Sequence, residues 1–507
     1  MKHIKLIIAT LTLTFFTSCT DWLTIQPEGK VVSSDYWKLE SDVDAVVATC
    51  YRAMIETDVI EKMIVYGEMR SDNLIAGYSI EDNLKKIFEA NVLPSNPYTK
   101  WSEFYEIINY CNVVIHFAPQ VIDPNFTQSE LNARMSEVMA LRALTYFYLV
   151  RSFGEVPFIT DPSIADSQDF MFSKSSENVI LDYLESDLLK AEGWAMTGYG
   201  SPETNKGKIT KNAIRALLAD IYLWRQKYDQ CITYCNKIID DPTLKLIKAD
   251  DQPFYNIFGQ KNSSESIFEL QFSPTNYTYN NAINNLYGTL DSYGQFIVPE
   301  FLTVNNEVFD NSKEITDVRR NDNITSKSMN NVCYVFKYPG LIQEKSINGT
   351  SNVYTYRRPQ VSPANWIIYR LTDVLLMKAE ALVQKNEFDK AIQMVNTTYM
   401  RSNPTLSDTL SLSNYNEKKQ MEELVLLERQ RELMFEGKRW FDLLRMARRD
   451  GDTKRLIKFV IRKFATNQNV LSSKMQVMDA LYFPINEDEL NANPNLKQNP
   501  YYESKFK

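Results

Sequence analysis

The chain has 507 residues and a formal net charge of −8, so it can bury a large core and is not a globally basic, polyanion-binding protein. Sparse glycine (15) beside 29 Tyr and 26 Phe suits a mainly helical fold with aromatics left over for a surface. Two histidines, His3 and His116, exclude a multi-histidine zinc site once a leader is removed, and would force any Ser-His-Asp triad through His116.

The N-terminal MKHIKLIIATLTLTFFTSC has a charged start, a short apolar run from Leu6 to Phe16 and small residues before Cys19. That order reads as a secretory leader, too short for the ~20 apolar residues of a bilayer span. A cysteine closing it reads as a lipobox, with Phe16 where leucine is usual, so Cys19 is the expected lipid attachment point. Stable anchoring then takes more than one acyl chain. The expected division is a leader over 1–18, a lipidated tether over 19–35 and one domain over 36–507. Within it, helical repeats fill 36–275, a loop-rich insertion 276–365, and C-terminal helices and tail 366–507.

A helical run is expected from about Tyr36. EVMALRALTYFYLVRSFG places Ala140, Ala143 and Tyr146 at helical spacing, closes at Gly154 and is followed by Pro157, which cannot continue a helix. LADIYLWRQKYDQCI (218–232) and KAEALVQKNEFDKAI (378–392) align without gaps at an offset of 160, pairing Tyr228 with Phe388 and Asp229 with Asp389. Alanines for close helix approach, a polar turn and an aromatic plug are the logic of tetratricopeptide hairpins, here dispersed rather than tandem. Cys231 and Cys235 share a helix face; with no histidine nearby, packing rather than a metal clip is expected. Between Asn276 and Asn365 the chain turns rich in Asn, Ser, Thr and Tyr, which reads as long loops or short strands, where binding usually resides. His116, within NVVIHFAP, is expected to be buried, and Trp101, Trp366 and Trp440 to pack in the core.

From Glu428 to Arg445 acids and bases recur at three- and four-residue steps, so on a helix neighbours have opposite sign. A nucleic-acid strip would not interleave acids with its bases. Glu432 and Glu436 could form a catalytic pair, but arginines one turn away point to ionised structural partners. This run, ERQRELMFEGKRWFDLLR, resembles the C-terminal signature of the SusD/RagB family of outer-membrane lipoproteins. DWL (21–23), GEMRSDN (67–73), KWSEFYEIINYCN (100–112), ALRALTYFYLVRSFGEVPFI (140–159), YRLTDVLLMKAEAL (369–382) and YFPINEDELNANPNLKQNPYY (482–502) resemble its other motifs in order.

The resemblance implies a mainly α, SusD-like fold of tetratricopeptide-like hairpins with irregular insertions. It also implies a non-catalytic surface lipoprotein that binds a nutrient, usually a glycan and sometimes a peptide. The protein would face outward from the outer membrane and pass its ligand to a SusC-like TonB-dependent transporter, with no cofactor, metal or nucleic acid. Sugar rings stack on flat aromatics and their hydroxyls need amide or charged groups at the rim. The expected ligand-binding residues are therefore Asp72, Asn73, Tyr78 and Tyr98 near the early motif, and Tyr277, Tyr279, Tyr287 and Tyr293 in the insertion. A structural or adhesive role and a surface glycoside hydrolase are the rival classes; the latter needs two carboxylates ~5–10 Å apart, and no motif nominates a pair.

Overall fold

Thr127 starts the longest helix by a capping box: its hydroxyl accepts from the Glu130 amide, and the Glu130 carboxylate accepts from the Thr127 amide at 2.7 Å. The helix runs Gln128–Phe153 and ends at Gly154, whose φ of +77° suits glycine, as the sequence predicts. The computed structural model describes residues 36–503 except 166, 290–291, 293, 303–307, 310–316, 327–331, 344–352 and 359. Cys19 and Tyr293 therefore lie outside the described residues. No described helix is long and apolar enough to cross a membrane.

The N-terminal helices are α1 (Glu40–Met54), α2 (Thr57–Ile64), α3 (Ser102–Phe117), α4 (Gln128–Phe153), α5 (Glu177–Trp194), α6 (Lys211–Trp224) and α7 (Tyr228–Ile239). Then come α8 (Asn281–Tyr287), α9 (Leu371–Gln384), α10 (Phe388–Ser402), α11 (Lys418–Leu433) and α12 (Arg439–Asp450). From α3 to α7 each helix packs on the next, α7 packs on α9, and α9 packs on α10 and α11. The stack thus continues across the insertion, around a core that runs from Trp37 to Tyr502.

The two segments related by 160 residues make the same turn. Gln226 and Asn386 take left-handed φ of 59° and 61°. The Lys227 amide donates to Tyr222 O at 2.8 Å, and the Glu387 amide to Leu382 O at 2.9 Å. Tyr228 and Phe388 then begin α7 and α10. Left-handed backbone costs most side-chain-bearing residues about 1 kcal/mol but is tolerated by asparagine, and glycine loses more freedom on folding. Gln226→Gly should therefore raise stability by roughly 0.5 kcal/mol, read as an upward shift of the thermal midpoint, while Asn386→Gly should leave it nearly unchanged.

Trp101, Trp366 and Trp440 are buried as expected, and Cys231 and Cys235 are buried in α7 with sulfurs 4.0 Å apart. Three expectations need correction. His116 is exposed: on the last turn of α3, Val113, Val114 and Phe117 take the inward face, and the imidazole points out against the edge of Phe117. The insertion is not helix-free, since α8 lies within it. Asn280 caps α8 by accepting from the Ile283 amide, and Ala282, Ile283, Leu286 and Tyr287 form a buried face hidden among asparagines. Finally, the charged C-terminal run is not one helix. It breaks between α11 and α12 at Met434–Lys438, with Phe435 at φ +67° and Gly437 at +69°.

That break explains the partners. Glu432 is held by Arg370 at 2.7 Å, Arg319 at 3.0 Å and Arg401; Glu436 is held by Arg370 and by Lys337 at 2.8 Å. Burial alone would raise both carboxyls, but Arg401, Arg370 and Arg319 hold Glu432 well below its usual range, and Arg370 and Lys337 lower Glu436. The wiring is structural, as the residue types predict, but most of it reaches far along the chain; Arg445–Asp442 and Arg431–Glu428 are the exceptions at helical spacing.

Candidate functional site

Two regions far apart in sequence meet on one face. The insertion strand Phe296–Ile297 pairs antiparallel with Ile75–Ala76, which follows the early motif, and α8 packs on α2. The Gly77 amide donates to Gln295 O at 2.8 Å, the Glu81 amide to Gln295 Oε1 at 2.7 Å, and the Gln295 amide to Asn285 O at 3.1 Å. These bonds hold the Gly77–Glu81 loop, with Tyr78 at its tip, against the end of α8.

Glu61, on α2, is the polar centre of this face. Asn285 Nδ2 donates to its Oε1 at 2.9 Å, and the Tyr98 hydroxyl to its Oε2 at 3.3 Å. Partial burial, with Asp58 and Glu81 adding like charge, raises the Glu61 carboxyl against the pull of Asn285 and Tyr98. Burial and then Glu61 and Glu81 push the Tyr98 phenol well above its ordinary value. The Tyr98 backbone is fixed by the Tyr66 hydroxyl on its carbonyl at 2.8 Å and by Asn96 Oδ1 accepting from its amide at 3.0 Å.

Tyr78 is 71% exposed, a ring free to lie against a ligand. On the turn that precedes α8, four residues before Asn281, Tyr277 is 82% exposed. Its presentation is rigid. A short 3₁₀ turn, Pro274–Asn276, throws Tyr277 into left-handed backbone at φ 54°, and Ser273 and Thr278 close the loop by reciprocal bonds of 2.8 and 3.0 Å. A β-substituted residue held in that conformation is strained, as at many ligand clamps. Tyr279, two residues on, is half-buried.

The other expected residues are not available to a ligand. Asp72 is fully buried; Arg439 grips both its oxygens at 2.8 and 3.0 Å, and Arg462 adds a third bond. Burial alone would raise the carboxyl, but Arg439 and then Arg462 lower it. Asn73 donates to Glu68 at 2.7 Å and accepts from Gln430 at 2.8 Å. Tyr287, 2% exposed, donates to Phe435 O at 3.0 Å. All three lock the early motif and the insertion onto the C-terminal signature. A short acid–amide turn reads the same whether it meets water or a buried guanidinium. Conversely, Glu61, Glu81, Asn285 and Gln295 escaped the sequence reading. Asn285 alone carried a signal, in the asparagine-rich insertion; Glu61 reads as an ordinary helix acid.

What the region offers is an exposed ring, Tyr78, beside carboxylate and amide groups, and a second exposed ring, Tyr277, on the turn that leads into α8. Stacked helical hairpins bearing such groups on inserted loops define a scaffolded binding protein. Residues 247–502 match the model of the SusD family, and the chain belongs to that family. Residues 21–223 match a second model, described as starch-binding and associating with the outer membrane. A SusD-like protein, P38, from Formosa agariphila is 25% identical over 477 residues, covering 86% of this chain and 89% of its own. A SusD-like protein from Bacteroides ovatus is 22% identical, with 88% and 82% covered. Among solved structures, a SusD superfamily protein from Bacteroides vulgatus superposes with a TM-score of 0.75 at 21% identity, covering 92% of this chain and 100% of that one.

Proposed function

We propose that the protein is a lipid-anchored receptor at the outer surface that holds an oligosaccharide and hands it, unaltered, to a SusC-like TonB-dependent transporter. One observation carries the reading: Tyr78 stands exposed on the loop tied through Gln295 to α8, whose Asn285 meets Glu61 beside Tyr98, and Tyr277 stands exposed on the turn that leads into α8. Rings accept the C–H face of a pyranose, and carboxylate and amide groups accept and donate to its hydroxyls. The starch-binding description of the N-terminal family model supports a glycan over a peptide. Cys19 carries the lipid and places the folded chain within reach of the transporter.

Calorimetry against oligosaccharide and peptide panels tests this. Tyr78→Ala and Tyr277→Ala should each weaken oligosaccharide binding about tenfold, or ~1.4 kcal/mol, with the thermal midpoint unchanged because both rings are exposed. Saturable heat with peptides alone would overturn the glycan assignment, and new reducing ends would overturn the non-catalytic one. Cys19→Ala should move the protein from the membrane fraction to the soluble one, and a tag on the wild-type chain should co-purify the barrel.

A further inference from the structure

Between α7 and β-strand Ser266–Leu270 the chain makes an excursion that shares no residue with the face described above. Its ends are stitched together, the Lys245 amide donating to Ser264 O at 3.0 Å, so residues 245–264 form a closed loop around a cleft of about 1090 Å³. That volume matches the upper end of small-molecule sites, roughly 1,000 Å³.

The walls are fixed from beneath by two buried carboxylates. Glu265 accepts from the Ile247 amide at 2.8 Å, and both oxygens of Glu269 accept from the Asn262 amide at 3.2 Å. Lys261 Nζ donates to Phe272 O at 2.9 Å and Gln271 to Asn262 Oδ1 at 2.7 Å, pinning the lip to the end of the strand that leads into the Tyr277 turn. Gln252, Lys261 and Asn262 all take left-handed φ, of 50°, 67° and 51°. Three such side-chain-bearing residues in one loop are strain that the surrounding bonds sustain, and strain of this kind gathers at ligand clamps.

The lining chemistry names the ligand class. Tyr255 sits in a π-helical turn, Tyr255–Gly259, a geometry frequent at functional sites. A Cβ on Gly259 would lie 2.6 Å from the Tyr255 ring, so glycine there leaves room for the ring to pack close to the backbone. Around it stand the amides of Gln252, Asn256, Gln260 and Asn262, of which Asn256 already donates to Asp251 O and Asn262 already accepts from Gln271, while lysines and aspartates share the rim. Amides donate and accept in fixed geometry and charge of neither sign dominates, which suits a neutral, hydroxyl-rich ring better than an anion or an apolar group.

The geometry points to this cleft as a second carbohydrate subsite, which takes further units of a neutral oligosaccharide beside the Tyr277 turn. The inference rests on reading the chain as an oligosaccharide receptor. The full soluble chain (Cys19→Ala) is applied to an array of plant, algal, microbial and host oligosaccharides, and the tightest binder is titrated by calorimetry. Tyr255→Ala should weaken it about tenfold and Gln260→Ala several-fold, each with an unchanged circular dichroism spectrum. Gln260 is exposed, so its variant keeps the test alive should Tyr255→Ala misfold. Full affinity in folded Tyr255→Ala and Gln260→Ala proteins, with loss confined to Tyr78→Ala and Tyr277→Ala, would overturn the second subsite alone. Loss only in the Tyr255 and Gln260 variants would uphold it and overturn the first face. Silence of the wild-type chain across the array would overturn both.

Discussion

Gly67→Ala should prevent the chain from reaching its native fold, seen as loss of soluble protein and, for any refolded fraction, a stability lower by more than about 3 kcal/mol in urea titration. Overpacking a well-filled core commonly costs 1–3 kcal/mol. Here the new Cβ would fall 1.8 Å from Gly437 O and 2.5 Å from its carbonyl carbon, and neither is the tip of a flexible side chain. The two glycines mark where the π-helical turn Val65–Met69 presses on the break between α11 and α12. Glu68 completes the clasp, accepting from the amides of Phe435 at 3.2 Å, Gly437 at 3.0 Å and Lys438 at 3.2 Å. A methyl group at 67 would push the backbones apart and break those bonds together. Since α2, which holds Glu61, leads directly into this turn, a surviving fold should also bind less tightly the oligosaccharide proposed above as its ligand.

The same clasp shows why the fold was more legible in the sequence than the site. Helical period, the Gly154 stop and the repeat at offset 160 are local signals, and local geometry obeys them down to the shared left-handed turn residue. The destination of a polar side chain is not local. Asp72 and Tyr78 lie in one short stretch of similar composition; one is buried under Arg439 and Arg462 and the other stands in water. The deciding contact for Asp72 comes from 367 residues away, and nothing at positions 67–78 records it. Tyr277 and Tyr287 divide the same way: α8 has one buried face, and the position of Tyr287 on it sends that ring inward to Phe435. Glu61 was invisible because its role depends on Asn285, brought to it by helix packing across 224 residues.

Glu432→Gln should destabilise the protein by about 3–5 kcal/mol at pH 7, the scale for removing one partner of a buried ion pair. Arg319, Arg370 and Arg401 converge on this carboxylate, so its neutralisation leaves guanidinium charge buried with too little compensation. Arg370 would keep Glu436 and Arg401 would keep Glu265, which is why the layer should loosen rather than vanish. The same physics sets the acid limit. Burial alone would raise Asp373 and Glu380, but Lys438 and Arg429 hold the first at about 2, and Arg445 and Arg449 hold the second at about 2. With folded values below the unfolded ones, their stabilisation is complete above about pH 4.5 and is lost as pH falls toward 2. For Glu380 the shift corresponds to roughly 3 kcal/mol. Glu68 and Asp322, raised to about 7 by burial, run oppositely: their contributions are full below about pH 4 and lost as pH rises through 7. Stability should therefore peak near pH 5. In Glu380→Gln the acid limb, followed by urea midpoints from pH 6 to 2, should flatten, and its gap to wild type should narrow as pH falls. A gap that stays constant over that range would mean that the arginines around Glu380 do not control its ionisation.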